Sequence, residues 1–221
     1  MQLVEEYEKE SSLKATLIPW LVCFAASLFF FYEFIQGNMF ASIADNIMHD
    51  FHIQADKMTY LSSIYYLSNV IFLFFAGFLL DRFSSKKIIM IAMLLCVLST
   101  FVLAHAQSFY LALFCRFVTG IGSAFCFLGP IRIASRWFPP KRMAMVTGAI
   151  VTMAMTGGML AQYPLTQLVL HVGWREAVMM VAWLGLLMLA IMILLVKDKP
   201  DNAQPTVRAS TGVFVRAKQA Y

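Results

Sequence analysis

The chain has 221 residues, of which 61% are hydrophobic, 14% aromatic and 13% charged, with a formal net charge of +5, and its mean hydropathy is +0.74. A water-soluble domain of this size has no use for so much apolar surface, and several uninterrupted apolar runs make the chain an all-α integral membrane protein. In such a protein Lys and Arg mark one membrane face, so the positive balance is better explained by topology than by a nucleic-acid partner.

The first fourteen residues carry four Glu and two Lys, the reverse of the basic start of a signal peptide, so the first helix is expected to stay in the mature protein. The first apolar run starts near Thr16. Pro19 sits where a first helical turn tolerates it, and Trp20 suits the membrane interface. The run passes through Phe29-Phe30-Phe31-Tyr32-Glu33 and reaches about Ile43. Asp45, His49, Asp50, His52 and Asp56 then predict a polar, acidic loop. Further runs cover 60–80, 88–106, 109–134, 143–169 and 177–196. Arg136, Pro139, Pro140, Lys141 and Arg142 close the fourth. Six spans thus fill residues 16–197, after an acidic tail (1–15) and before a polar stretch (198–221) that reads as a tail or the start of a linker.

Loop charges set the expected orientation. Arg82, Lys86, Lys87, Arg136, Lys141, Arg142, Lys197 and Lys199 fall on one side, and only Lys57 and Arg175 on the other. Both termini are therefore expected in the cytoplasm, with the bundle in the inner (plasma) membrane if the host is a bacterium. Cys23, Cys96, Cys115 and Cys126 lie inside apolar runs without CxxC spacing or a paired His, and read as small packing residues. No metal, cofactor or catalytic residue is expected, and no Walker-type phosphate loop is present for ATP.

The short charged stretch Gly77-Phe-Leu-Leu-Asp81-Arg82-Phe-Ser84-Ser85-Lys86-Lys87 joins two runs that each cross a bilayer, so it is a tight turn on one face. Gly77 is expected to permit close helix approach, and Asp81 to accept from the free N–H groups that open the next helix. Without further context this is a positive-inside turn with a helix cap. The pattern resembles the loop after the second helix in the major facilitator superfamily, Gly-x-x-x-Asp-Arg-x-Gly-Arg-Lys/Arg, through Gly77, Asp81, Arg82 and Lys86. Ser84 and Ser85 depart from it. Arg116-Phe-Val-Thr-Gly120-Ile-Gly122, Trp137-Phe138-Pro139-Pro140 with Arg142, and Gly173-Trp174-Arg175 resemble further family patterns in the same order.

The resemblance covers most of residues 16–199 and implies a major-facilitator-type N-terminal bundle. It implies secondary transport of a small, charged organic solute by alternating access, coupled to a proton or sodium gradient or driven by the solute's own. The partner would be a second six-helix half missing from this chain, or a second copy. It also implies a conformational latch of Gly77, Asp81, Arg82 and Lys86 with Arg132 and Arg136. The family often has an acidic residue where Arg136 stands and an arginine where Ser85 stands. With both changed, Asp81 is expected to pair with Arg132 or Arg136. The antiporter pattern of Gly-Pro followed by a glycine pair is not reproduced, because Pro164 comes after Gly157-Gly158.

Two ionisable residues lie far from any loop. Glu33 is about sixteen residues from the inner end of its run, roughly 24 Å, and Arg116 about twenty, roughly 30 Å. An unpaired charge at that depth costs at least about 2.5–3.5 kcal/mol, so each needs a partner or a watery cavity. The resemblance places the first and fourth helices on a central cavity, within mutual reach. Three roles stay open: a structural ion pair; a site in which Arg116 receives a carboxylate or phosphate; or proton exchange at Glu33. Tyr65, Tyr66, Asn69, Thr152, Thr156 and Gln162 either line the same cavity or bond between helices. A protease reading fails because Ser123 of Gly120-Ile-Gly-Ser123 has no His in any later apolar run to serve as base. A non-transporting membrane protein with a transporter-like bundle, structural or regulatory, is the alternative.

Overall fold

A computed structural model describes residues 2–198, with side chains from residue 17 onward. Seven helices follow in order: α1 (Gln2–Phe51), α2 (Ala55–Arg82), α3 (Ser85–Ala104), α4 (Phe109–Ser123), α5 (Leu128–Trp137), α6 (Met143–Val172) and α7 (Trp174–Leu195). A 3-10 turn, Pro140–Arg142, links α5 to α6. Six segments are long and apolar enough to cross a bilayer, with α4 and α5 together forming the fourth, Phe109–Trp137. The six-span, all-α, multi-pass architecture expected from the apolar runs is thus present. Of the polar stretch expected from residue 198, only Asp198 is among the described residues, and Lys199 lies outside them.

Two boundaries differ from the sequence reading. The acidic loop expected over residues 45–56 is mostly helix, and the chain reverses over only three residues, His52 to Gln54. Met39, Ile43 and Ile47 are fully buried, so the i, i+4 stripe of α1 continues inward and the acidic residues are its outer face. The helical backbone also runs back to Gln2, through the segment read as a separate tail.

The fourth span, read as one continuous helix, is broken after Ser123. Pro130 has no N–H to give and would crowd the carbonyl four residues back in an unbroken helix. The chain tightens instead: Phe125 N–H donates to Gly122 O and Cys126 N–H to Ser123 O, both at 3.1 Å. Helix α5 then resumes at Leu128.

Helix α1 is the axis of the bundle, packed most extensively on α6 and also on α7 and α5, while α4 joins α2 to α3. Glycine allows the closest of these approaches. A Cβ at Gly120 would strike the Ser68 hydroxyl and the Tyr65 carbonyl on α2, and one at Gly157 would strike the Phe31 carbonyl on α1. At Gly77, by contrast, an added Cβ meets nothing within 4 Å, so the close approach expected there is not made among the described residues.

Polar clasps close both ends. At one end Asp50 accepts from Trp174 Nε1 at 2.7 Å and from Arg175 Nη1, while Arg175 Nη2 donates to Ala106 O at 3.1 Å. At the other, Asp198 accepts from Lys86 N at 3.0 Å, from Arg136 Nη1 at 3.0 Å and from the Ser84 hydroxyl. Ser84 Oγ itself accepts from Lys87 N at 3.3 Å. The first turn of α3 is therefore capped by Ser84 and Asp198, and not by Asp81 as expected. Asp81 lies one turn too early, inside the end of α2, to reach those amides.

Candidate functional site

On α1, Glu33, Gln36, Gly37 and Phe40 recur at helical spacing and share one face. That face meets Leu61 and Tyr65 of α2 and Arg116 of α4, with Gly120 one turn further letting the helices close. Arg116 is 1% exposed and Glu33 2%, so both depend on what the protein offers them.

The Arg116 guanidinium lies between two aromatic faces, 4.0 Å from the Phe40 ring centre and 4.2 Å from that of Tyr65. Its Nε donates to Leu61 O at 3.3 Å and its Nη1 to Gln36 O at 3.2 Å. A flat, delocalised cation suits this slot, since it stacks through its faces and bonds through its edge. Glu33 Oε2 accepts from the Tyr65 hydroxyl at 3.1 Å. Among the described residues Glu33 and Arg116 form no direct ion pair, and Tyr65 touches both. Within this site, Glu33 Oε1 and Arg116 Nη2 have no nitrogen or oxygen hydrogen-bond partner among the described residues, and the Cys96 thiol lies against the Glu33 carboxylate.

Glu33 lies on the wall of a cavity of about 340 Å³. Asn38, Tyr65, Tyr66, Asn69 and Ser123 supply its other polar groups, and Phe30, Phe34 and Phe127 much of its apolar wall. A second hollow of about 330 Å³ shares Gly37, Asn38 and Tyr66 with the first, so the two are neighbours. Asn69 Nδ2 donates to Ser123 Oγ at 2.6 Å, fixing α2 to the last residue of α4 where the fourth span breaks. Arg116 lines neither hollow; it sits one layer behind, covered by Tyr65 and Phe40.

Of the residues singled out in the sequence, Glu33, Tyr65, Tyr66 and Asn69 come together on one wall. Thr152, Thr156 and Gln162 do not. They are exposed on α6, where the Thr152 and Thr156 hydroxyls bond to carbonyls of their own helix at 2.9 Å, and the Gln162 carbonyl accepts from Ser42 and Thr166. Gln36, Phe40 and Thr100 were not anticipated. Gln36 Nε2 donates to Thr100 Oγ1 at 2.6 Å and to the Tyr32 hydroxyl at 2.8 Å, joining the Arg116 slot to α3. The signal for Gln36 and Phe40 was their spacing from Glu33; Thr100 had none.

At the charged turn, Asp81 Oδ1 pairs with Arg132 Nη1 at 2.6 Å, with both side chains partly in solvent. Arg136 turns instead to Asp198. The Arg82 guanidinium lies 4.3 Å from the Phe78 ring centre, and Lys86 Nζ donates to Ile193 O at 3.2 Å. Among the described residues no cluster of His, Cys, Asp and Glu is placed to hold a metal ion.

Comparison with known proteins agrees with this architecture. The hexuronate transporter of Bacillus subtilis (strain 168) is 24% identical over 187 residues, covering 81% of this chain and 43% of that protein. The lysosomal dipeptide transporter MFSD1 of Pongo abelii is 31% identical over 145 residues, covering 64% and 30%. The crystal structure of a bacterial homologue of the human lysosomal transporter Spinster, inward-facing and unoccupied, superposes with a TM-score of 0.69 at 21% identity. That match covers 91% of this chain and 49% of the other, so the chain spans about half the length of its solved relative and less than half of these two transporters. The family model described as Major Facilitator Superfamily matches residues 22–219, nearly the whole chain. Six apolar spans, a charged turn after the second and that match together mean that the chain belongs to the major facilitator superfamily.

Proposed function

We propose that this chain is one six-helix half of a secondary active transporter that moves a small, charged organic solute by alternating access. The observation that carries the reading is a carboxylate at bilayer depth, 2% exposed, on the wall of a cavity of about 340 Å³ and without an ion-pair partner among the described residues. A purely structural role would have brought a cation to it, because an unpaired charge at that depth costs at least about 2.5–3.5 kcal/mol. A solute, a proton or a coupling ion that visits Glu33 accounts for a carboxylate in that place.

The cavity is walled by α1, α2 and the break in the fourth span, and in this reading a second six-helix half, or a second copy of this chain, closes it. Relatives whose names specify hexuronate and dipeptide as solutes support small organic cargo. The Asp81–Arg132 pair is the working latch in this reading, with Gly77, Arg82, Lys86 and Arg136 around it. Loop charges favour both termini on the cytoplasmic side.

Reconstituted vesicles test the proposal. The protein, with its second half if it has one, should accumulate at least one member of a labelled panel of small acids, amines and zwitterions. Glu33→Gln should abolish that uptake or its ion dependence. Uptake of nothing from the panel, by a protein that is folded and inserted, would favour a structural or regulatory membrane protein.

A further inference from the structure

Donor and acceptor accounting along the cavity wall gives the chemistry of the cargo. Tyr65 spends its hydroxyl proton on Glu33 Oε2, at 3.1 Å. Asn38 Nδ2 donates to Phe34 O at 2.8 Å, which leaves its Oδ1 as the free end. The Ser123 hydroxyl donates to Gly120 O at 2.9 Å, so it meets Asn69 only as an acceptor. That fixes the Asn69 amide with Nδ2 on Ser123 and Oδ1 unbonded. The wall therefore keeps two amide acceptors, Asn38 Oδ1 and Asn69 Oδ1, beside the Glu33 carboxylate, against one remaining N–H on each Asn Nδ2, with the exposed Tyr66 hydroxyl free to do either.

Among the described residues, no Lys, Arg or His lines this cavity. Arg116, the cation nearest in the sequence reading, is walled off by two rings and holds two backbone carbonyls. An anion entering here would meet a carboxylate, with only two neutral amide N–H groups and a hydroxyl to replace its hydration. A cation with several N–H groups would find a charged acceptor and two neutral ones, beside aromatic faces that favour cations.

We infer that the Glu33 cavity takes the ammonium end of a primary amine whose body is apolar or aromatic, packed against Phe30, Phe34 and Phe127. This rests on the carrier reading above and makes this half the part that holds the donor end of the cargo. A zwitterionic solute would then present its acidic end to the partner half.

The test is binding to the purified full chain in mild detergent, with three probes of matched shape: 2-phenylethylamine, its N-acetyl derivative and 3-phenylpropionate. The amine alone should raise the melting temperature, and Glu33→Gln should weaken it about tenfold or more, as expected for loss of a charged hydrogen-bond partner. Leu73→Trp, at a partly exposed position on the cavity rim, should abolish binding by filling the space, and serves if the Glu33 variant does not fold. A shift from the carboxylate, equal shifts from all three probes, or none from the amine would overturn the inference. Vesicle uptake of an organic anion without amine binding would sink this assignment and leave the carrier reading standing. Amine binding with no uptake of any solute would do the reverse.

Discussion

Arg116→Lys separates a tether from a ligand. In the structure the guanidinium does three jobs at once: it bonds Leu61 O at 3.3 Å, bonds Gln36 O at 3.2 Å, and lies flat between Phe40 and Tyr65. An ammonium keeps the charge but cannot span two carbonyls or stack between rings. Loss of one charge-assisted hydrogen bond costs about 1.5–3 kcal/mol. Loss of the ring contacts adds about 0.5–2 kcal/mol. The sum is about 2–5 kcal/mol, or a fall in melting temperature of roughly 4–20 °C for a chain of this size. The protein carries its own reporter, because all four cysteines, Cys23, Cys96, Cys115 and Cys126, are free and buried. Cys126 lines the cavity, so in a Cys126→Ser background a thiol-reactive dye should stay dark until the bundle opens, and its melting curve in detergent reads the loss directly. A variant that melts within about 1 °C of the parent while solute binding collapses would refute the tether and return Arg116 to the ligand role.

Tyr65→Phe keeps the ring under Arg116 but removes the donor to Glu33 Oε2; it should cost about 1–3 kcal/mol in the same melt, and no change would mean that Glu33 has another partner. Gly120→Ala should destabilise by about 1–3 kcal/mol through collision with Tyr65 and Ser68, whereas Gly77→Ala, which meets open space, should be neutral or gain up to about 1 kcal/mol. Equal effects at the two positions would contradict the packing described. Asp81→Asn should leave the melt almost unchanged, since an exposed pair contributes about 0–1 kcal/mol, yet alter the rate of uptake; unaltered uptake would remove Asp81–Arg132 from the latch.

The spans were legible because bilayer thickness imposes a length on apolar runs, and composition carries that length. Glu33 and Arg116 stood out for a related reason: charge at depth is costly and must be explained. What the pair does was not legible. Periodicity puts Glu33, Gln36 and Phe40 on one face, but only the close packing at Gly120 brings Tyr65 over Arg116 and hides it from the cavity. The break in the fourth span had a visible signal, Gly129-Pro130, masked by the unbroken apolar run around it. The cap of α3 did not. Asp198 lies more than a hundred residues from Lys86, and local rules of helix capping point to the nearer Asp81. Thr152 and Thr156 were hydrophilic enough to suggest a cavity, yet on α6 each bonds its own backbone.

The account turns on a hollow beside Glu33 that is reached from each side of the membrane in turn. Leu73→Cys, on the rim of that hollow and in a Cys126→Ser background, probes this in sealed vesicles with a thiol reagent that cannot cross the bilayer. Addition inside or outside should each label the site in part, and a transported solute should shift the balance between the two. Labelling from one side alone, with and without solute, would contradict alternating access through this cavity.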